Sequence, residues 1–217
     1  SPDTIVYKGL LTPEQIDQFY LDLNNPRTTS AFGMVHSRYS TNTFPSWERA
    51  HPNRMVMHNG EINTITGNVN WMRARERVAK SSVYGTRHKE LLPIINEHVS
   101  DSGMLDQAFE YLVMNGRTIS ETAMLMVPEA WDLNEQMKDP ERACFEYLSC
   151  IMEPWDGPTA ISYTNGKQIG ASLDRNGLRP SRFYITEDRR IIFSSEVGVL
   201  DIEPEEIVQK GRLAPGE

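Results

Sequence analysis

Along this 217-residue chain the spacing of apolar positions changes character twice. "DTIVYKG" (Asp3–Gly9) alternates like a strand, and "TPEQIDQFYLDL" then switches to helical spacing, with Thr12 as cap and Pro13 in the first turn. "SAFGMVHSRYST" (Ser30–Thr41) alternates again and runs into a polar, proline-containing loop, after which "RMVMH" (Arg54–His58) predicts a short strand. The middle third is helical. Asn63–Ala79 carries Trp71, Met72 and Val78 at roughly helical spacing, and "KELLPIINEHV" shows one apolar face with Pro93 starting or kinking it. "GMLDQAFEYLVMNG" lines up Leu105, Ala108, Phe109 and Leu112 and stops at Asn115-Gly116. "ISETAMLMVPEA" and "PERACFEYLSCIME" predict two further helices. The last third returns to alternation. "TAISYTNGKQIGASL" is two strands joined by Asn165-Gly166, and "SRFYITEDRRIIFSSE" is a second hairpin. Strands flanking a helical middle predict an α+β or layered arrangement rather than a βαβ repeat. No GxGxxG or phosphate-loop motif and no internal repeat interrupts it.

Composition narrows the class. The net charge of −8 and the absence of a basic face argue against nucleic acid as a partner. "RARER" (Arg73–Arg77) sits in a helical stretch and reads as a solvated face. The longest apolar run, Ala123–Val127, is far too short to cross a bilayer, and no leader opens the chain, so no membrane partner is expected. Cys144 and Cys150 are the only cysteines; six residues apart on a helix they face different ways, and their apolar surroundings predict buried, structural thiols. A reducing compartment follows, cytoplasm or plastid stroma. No Cys/His cluster has metal-ligand spacing. Ser1 leads almost at once into a strand pattern and "GRLAPGE" ends on a turn signal, so the chain is expected to be a piece of a larger one.

Three polar features carry chemistry. Arg38 closes a strand-like run and offers a planar, bidentate grip on a carboxylate, or simply pairs with one of many surface acids. In His58-Asn59-Gly60 a side-chain amide stands beside a glycine N–H, the two adjacent donors of an oxyanion hole, or else an ordinary Asn-Gly turn. Asp101 is either a helix N-cap or a carboxylate for a ligand ammonium group. Taken together they describe a pocket for a free amino acid. Arg38 would take the α-carboxylate, Asp101 the α-ammonium, and Asn59 with Gly60 the oxyanion formed from a side-chain amide, which makes glutamine or asparagine the natural ligand.

At these residues the sequence resembles a known family. "VHSRYSTNTFPSW", "AHPNRMVMHNGEINTITGNVNWM" and "DRNGLRPSRFYITEDRRIIFSSEVGVL" are similar to the glutaminase domain of glutamate synthases, a class II, N-terminal-nucleophile glutamine amidotransferase, and the likeness covers essentially all of residues 1–217. The resemblance implies a four-layer αββα sandwich, incomplete in this chain. It implies hydrolysis of L-glutamine to glutamate, with the ammonia passed to a separate site. There 2-oxoglutarate is reductively aminated using FMN and an iron–sulfur cluster, both outside this chain. The electron donor would be an NAD(P)H-linked subunit or ferredoxin. By position Arg38, Asp101, Asn59 and Gly60 match the family's glutamine-holding and oxyanion residues. Thr41 and His51 match positions lining the glutamine pocket, and the loop from Arg38 to about Trp47 resembles the one that closes over substrate.

One departure bears on activity. The family's nucleophile is an N-terminal cysteine whose own α-amino group is the base, whereas residue 1 here is Ser followed by Pro2. The nucleophile-bearing part is therefore expected to lie outside this chain, leaving it inactive alone. The rival reading is a non-catalytic module that binds glutamine or glutamate. A relative of the amidophosphoribosyltransferases shares the "DRNGLRP" and "SSE" features but would need a phosphoribosyl-diphosphate site, for which the sequence holds no candidate.

Overall fold

Helix punctuation decides where the helices start and stop. The structure, a computed structural model, describes residues 3–39 and 44–216. Its helices are α1 (Pro13–Phe19), α2 (Ile65–Glu76), α3 (Asp101–Met114), α4 (Ile119–Met126) and α5 (Asp139–Ile151). At α1, the Thr12 backbone N–H donates to Gln15 Oε1 at 2.9 Å, as a capping box requires. Gly116, at φ 102°, turns the chain away after α3 in the left-handed region that favours glycine. The strands are β1 (Val56–Gly60), β2 (Thr159–Thr164), β3 (Ile169–Leu173), β4 (Arg182–Thr186), β5 (Ile191–Ser194) and β6 (Ile207–Arg212). They form two three-stranded sheets, ordered β1-β2-β3 and β5-β4-β6. The fold is α+β, as the alternation of periods predicts.

The chain divides into two compact units, the first built from Ser1–His58, Ile65–Thr122 and Ser162–Gly170, the second from Asn59–Thr64, Ala123–Ile161 and Ala171–Glu217. In the first unit three of the four predicted stripe residues of α3, Leu105, Ala108 and Phe109, are buried, together with Met55, Val56, Val69 and Met72, while Leu112 is half-buried. Each of these buried side chains larger than alanine contributes roughly 1.5–3 kcal/mol of transfer free energy. The second unit has its own core of Leu125, Met126, Phe145, Leu148, Trp155 and Ile161. There the Trp155 backbone N–H donates to the Met126 carbonyl at 2.7 Å, joining the end of α4 to the approach to β2. β4 pairs antiparallel with β5 and with β6, opposing Phe183 to Phe193 and to Gly211.

Several expectations are corrected. Asp3–Gly9 forms no strand, and neither do residues 30–39. Residues 31–39 nevertheless alternate strictly between exposed and half-buried positions. The side-chain pattern of a strand is present, but no neighbouring strand among the described residues supplies a ladder. β1 starts at Val56 and runs on through Asn59 and Gly60 instead of stopping at His58. "KELLPIINEHV" makes no α-helix. A 3-10 turn over Gly85–Leu91 ends before Pro93, with Leu92 extended at ψ 141°, the conformation that a following proline favours. Within the predicted Asn63–Ala79 helix only Met72 of the three marker residues is buried; Trp71 and Val78 are exposed. Cys144 and Cys150 are both exposed on α5, because the helix buries Phe145 and Leu148, and neither cysteine lies on that stripe. β6 has no expectation behind it: "IVQKGR" has too few apolar residues to announce a strand.

Candidate active site

The first unit gathers the polar residues around two backbone segments. Arg38 ends the alternating run 31–39 on its half-buried side, and its guanidinium donates to the Arg49 carbonyl at 2.6 Å. This bond ties the two ends of the intervening loop. His36, two residues earlier on the same side, stacks on His51, with ring centroids 4.3 Å apart. His51 is buried, and both of its ring nitrogens lack a partner among the described residues. Burial is the main reason its pKa falls to about 3; the nearby His36, His58, Arg38 and Lys8 push it the same way. His36 is also lowered, by burial and then by the Arg38 charge, with partial relief from the His58 backbone. The pair is therefore neutral at physiological pH and presents uncharged imidazoles beside a permanent guanidinium.

His58 and Asp101 are linked through a residue that local sequence reading passes over. His58 Nδ1 lies 2.7 Å from Ser102 Oγ, and that hydroxyl donates to Asp101 Oδ1 at 3.3 Å. Asp101 is not the N-cap. Ser100 is, its hydroxyl accepting from the Gly103 N–H at 3.2 Å. Asp101 occupies the first helical position, where its carboxylate accepts the Ser102 N–H at 2.7 Å and benefits from the helix dipole. The bland cap role is thus filled by a neighbour.

Buried Asp106 holds this arrangement. Its carboxylate accepts backbone N–H groups from Arg54 at 3.2 Å, Met55 at 2.8 Å and Val56 at 2.9 Å. It thereby fixes the entry to β1 against α3. Burial raises its pKa, against the pull of those three donors. An acid inside the apolar arc of α3, between Leu105 and Phe109, was the signal available in the sequence.

Asn59 and Gly60 belong to the second unit and are described within it. Asn59 is exposed. Gly60 has φ 138°, and a Cβ there would sit 1.8 Å from the Pro158 carbonyl oxygen, so only glycine fits. The Glu61 N–H donates to that carbonyl at 3.3 Å, and the Asn63 N–H to the Asp156 carbonyl at 2.8 Å. The "HNG" segment is a strand end drawn tightly along residues 156–158, not a free Asn-Gly turn. Asp174 of the "DRNGLRP" run plays the role of Asp106 in this unit. It is buried and accepts the N–H groups of Thr159, Asn176 and Leu178 at 3.0–3.2 Å. Thr41, and residues 40–43 of the loop expected to close over substrate, lie outside the described residues. A cavity of about 730 Å³ in the second unit, lined by Leu125, Trp131, Phe145, Leu148 and Met152 among others, includes none of the predicted site residues. Among the described residues no group of three His, Cys, Asp or Glu side chains is placed to hold a metal ion, and no helix is long and apolar enough to cross a membrane.

Comparison with known proteins gives the family. The family of class-II glutamine amidotransferases matches residues 1–217 from end to end, and the chain belongs to that family. Its relatives are glutamate synthases. It is 61% identical over 217 residues to the glutamate synthase (NADPH) large chain of Bacillus subtilis, covering all of this chain and 14% of that protein. It is 53% identical over 215 residues to the glutamate synthase (NADH) of Schizosaccharomyces pombe, and 49% over 216 to the ferredoxin-dependent glutamate synthase of Pyropia yezoensis. The chain spans 10% and 14% of those two proteins.

Proposed function

We propose that this chain supplies the glutamine-holding and oxyanion groups of the glutaminase half-reaction of a glutamate synthase, as one segment of a longer polypeptide. Arg38 takes the substrate α-carboxylate, Asp101 the α-ammonium, and His51 and Thr41 line the pocket. The Asn59 amide and the Gly60 N–H stabilise the oxyanion as the side-chain amide of L-glutamine is attacked. The single observation that carries this reading is the hydrogen-bonded series Asp101–Ser102–His58, which ends on the residue preceding Asn59 in β1. Asp101 is held by its neighbours and spared from capping, as a ligand carboxylate should be.

The nucleophile, an N-terminal cysteine in the family this chain resembles, belongs to residues outside 1–217. So do the sites for FMN, the iron–sulfur cluster and 2-oxoglutarate. Two exposed cysteines on one helix cannot furnish the ligand set of a cluster. The four-layer αββα sandwich is the architecture proposed for the assembled domain. NAD(P)H through a partner subunit, or ferredoxin, delivers the electrons, and the cytoplasm or plastid stroma is the proposed location. Incubation with L-glutamine, followed by intact mass after a glutamine-like diazoketone, tests the reading. The 217-residue chain is expected to release no ammonia and form no adduct, while the longer polypeptide does both and loses both on Arg38→Ala. Ammonia from the short chain with an adduct on Ser1, Cys144 or Cys150 would overturn the assignment of the nucleophile.

A further inference from the structure

The second sheet segregates its charges. At one end Arg190 lies 2.6 Å from Asp188 and 3.8 Å from Glu206, so that end is internally compensated. At the other end the register sets Arg182 of β4 directly opposite Arg212 of β6, and Tyr184 opposite Lys210. Residues two apart in a strand share a face, so Arg182, Tyr184, Lys210 and Arg212 all project from the same side of the sheet. They line a cavity of about 180 Å³ together with Gly211. Both arginines and the lysine are exposed, and no carboxylate among the described residues forms an ion pair with any of them.

Like charges directly opposite in an antiparallel pair destabilise the sheet. In a chain with 30 acids against 22 bases, three cations with no compensating acid therefore call for an external counter-charge. A small free anion held by exposed side chains in water gains little, because both partners stay solvated and screened. A macromolecular surface that excludes water from the cluster gains more. The relatives of this chain are far longer than it is, the Bacillus subtilis protein being covered to only 14%, so much protein surface is available to supply it.

We propose that the face formed by Arg182, Tyr184, Lys210 and Arg212 is a docking surface for an acidic, carboxylate-bearing segment of the larger synthase polypeptide outside residues 1–217. The proposal rests on the reading that this chain is one segment of such a polypeptide. The arginines clamp carboxylates in bidentate fashion, Lys210 adds a point charge, and the Tyr184 hydroxyl offers a neutral donor.

Zero-length carbodiimide coupling of the full-length protein, with peptide mass spectrometry, tests it. The expected product joins Lys210 to an Asp or Glu outside residues 1–217. Lys210→Arg removes that product, since a guanidinium does not couple, and Arg182→Glu with Arg212→Glu lowers its yield about tenfold or more. Mapping the unsubstituted protein needs no variant to fold. Lys210 left unlinked, linked only within residues 1–217, or linked to an isotope-labelled second copy would each overturn the proposal. So would calorimetric binding of inorganic phosphate to the full-length protein with Lys210 left unlinked, which would identify a free-anion site. An intact mass equal to that of the 217-residue chain would instead remove the larger-polypeptide reading itself, and this outcome is distinct from the others.

Discussion

Residues 31–39 and strand β4 have the same kind of sequence and different fates. Both alternate, and both place large apolar side chains on one side: Phe32 and Met34 in the first, Phe183 and Ile185 in the second. β4 is hydrogen-bonded on both edges, to β5 and to β6. Among the described residues the run 31–39 has no ladder, and Val35 and Tyr39 are almost fully exposed, at 86% and 92%. The difference lies in the partner, because a strand's side-chain pattern is local and its backbone satisfaction is not. Between these extremes is the entry to β1, where one side-chain carboxylate, that of Asp106, replaces a neighbouring strand for three consecutive N–H groups.

The comparison breaks most directly on amide hydrogen exchange. Amides of Phe183 and Ile185 are expected to exchange only through global opening. Those of residues 31–39 are expected to exchange almost as fast as an open chain. A global stability of about 5–15 kcal/mol makes that contrast at least roughly three orders of magnitude in rate. Equal protection of the two segments would show that residues 31–39 are paired. In the proposed longer polypeptide the same amides should gain protection, since a strand pattern with an open edge is a template for pairing. For the same reason the isolated chain should self-associate, and a monodisperse monomer by light scattering would contradict this.

Next in size is Asp106→Ala. Three buried N–H groups lose their acceptor at once, and chemical denaturation should show a loss of about 5 kcal/mol. Asp106→Asn keeps one acceptor oxygen and should lose less. An alanine variant within about 1 kcal/mol of the parent would mean that the entry to β1 finds other partners.

How far the sequence led follows the same division. Turn and cap chemistry is local, so Thr12-Pro13, Asn165-Gly166 and Asn115-Gly116 punctuated the chain where the structure does. The apolar stripe of α3 was visible at Leu105, Ala108 and Phe109. What the local pattern could not show was which strands find neighbours, as with Asp3–Gly9 and residues 30–39. Nor could it show which acid is structural. Asp101 stands where either a cap or a ligand carboxylate would, and Asp106 carries no such local mark, yet Ser100 caps the helix and Asp106 pins the sheet entry. The pairing of His36 with His51 was half-visible, since period two places His36 beside Arg38, but its partner arrives across a loop.

That pair gives the fold an acid-sensitive point. His51 has a folded pKa of about 3, below the ordinary imidazole value near 6.5, so the unfolded chain binds the extra proton first. Stability is therefore complete above about pH 6.5 and falls as pH drops toward 3, by about 4 kcal/mol across the window. Denaturation midpoints measured from pH 7.5 to 4 should decline along this course, and His51→Gln, which cannot be protonated, should flatten it. An unchanged slope in that variant would place the acid sensitivity elsewhere.

The smallest effect separates architecture from chemistry at the start of α3. Ser100 caps the helix, so Ser100→Ala should cost about 1 kcal/mol. Asp101 contributes a first-turn charge and a bond to the Ser102 N–H, so Asp101→Asn should cost no more than about 0.5–1 kcal/mol. In the proposed longer polypeptide the order should reverse for glutamine binding. Ser100→Ala should leave glutamine binding close to that of the parent. In the proposed role Asp101 holds the ligand ammonium by a charge-assisted bond, so Asp101→Asn should weaken binding by roughly tenfold or more. Calorimetric titration with L-glutamine beside denaturation curves gives both readouts. If Asp101→Asn changed stability and left binding intact, Asp101 would be a helix-dipole residue, and the ligand ammonium would have to be held by another acid.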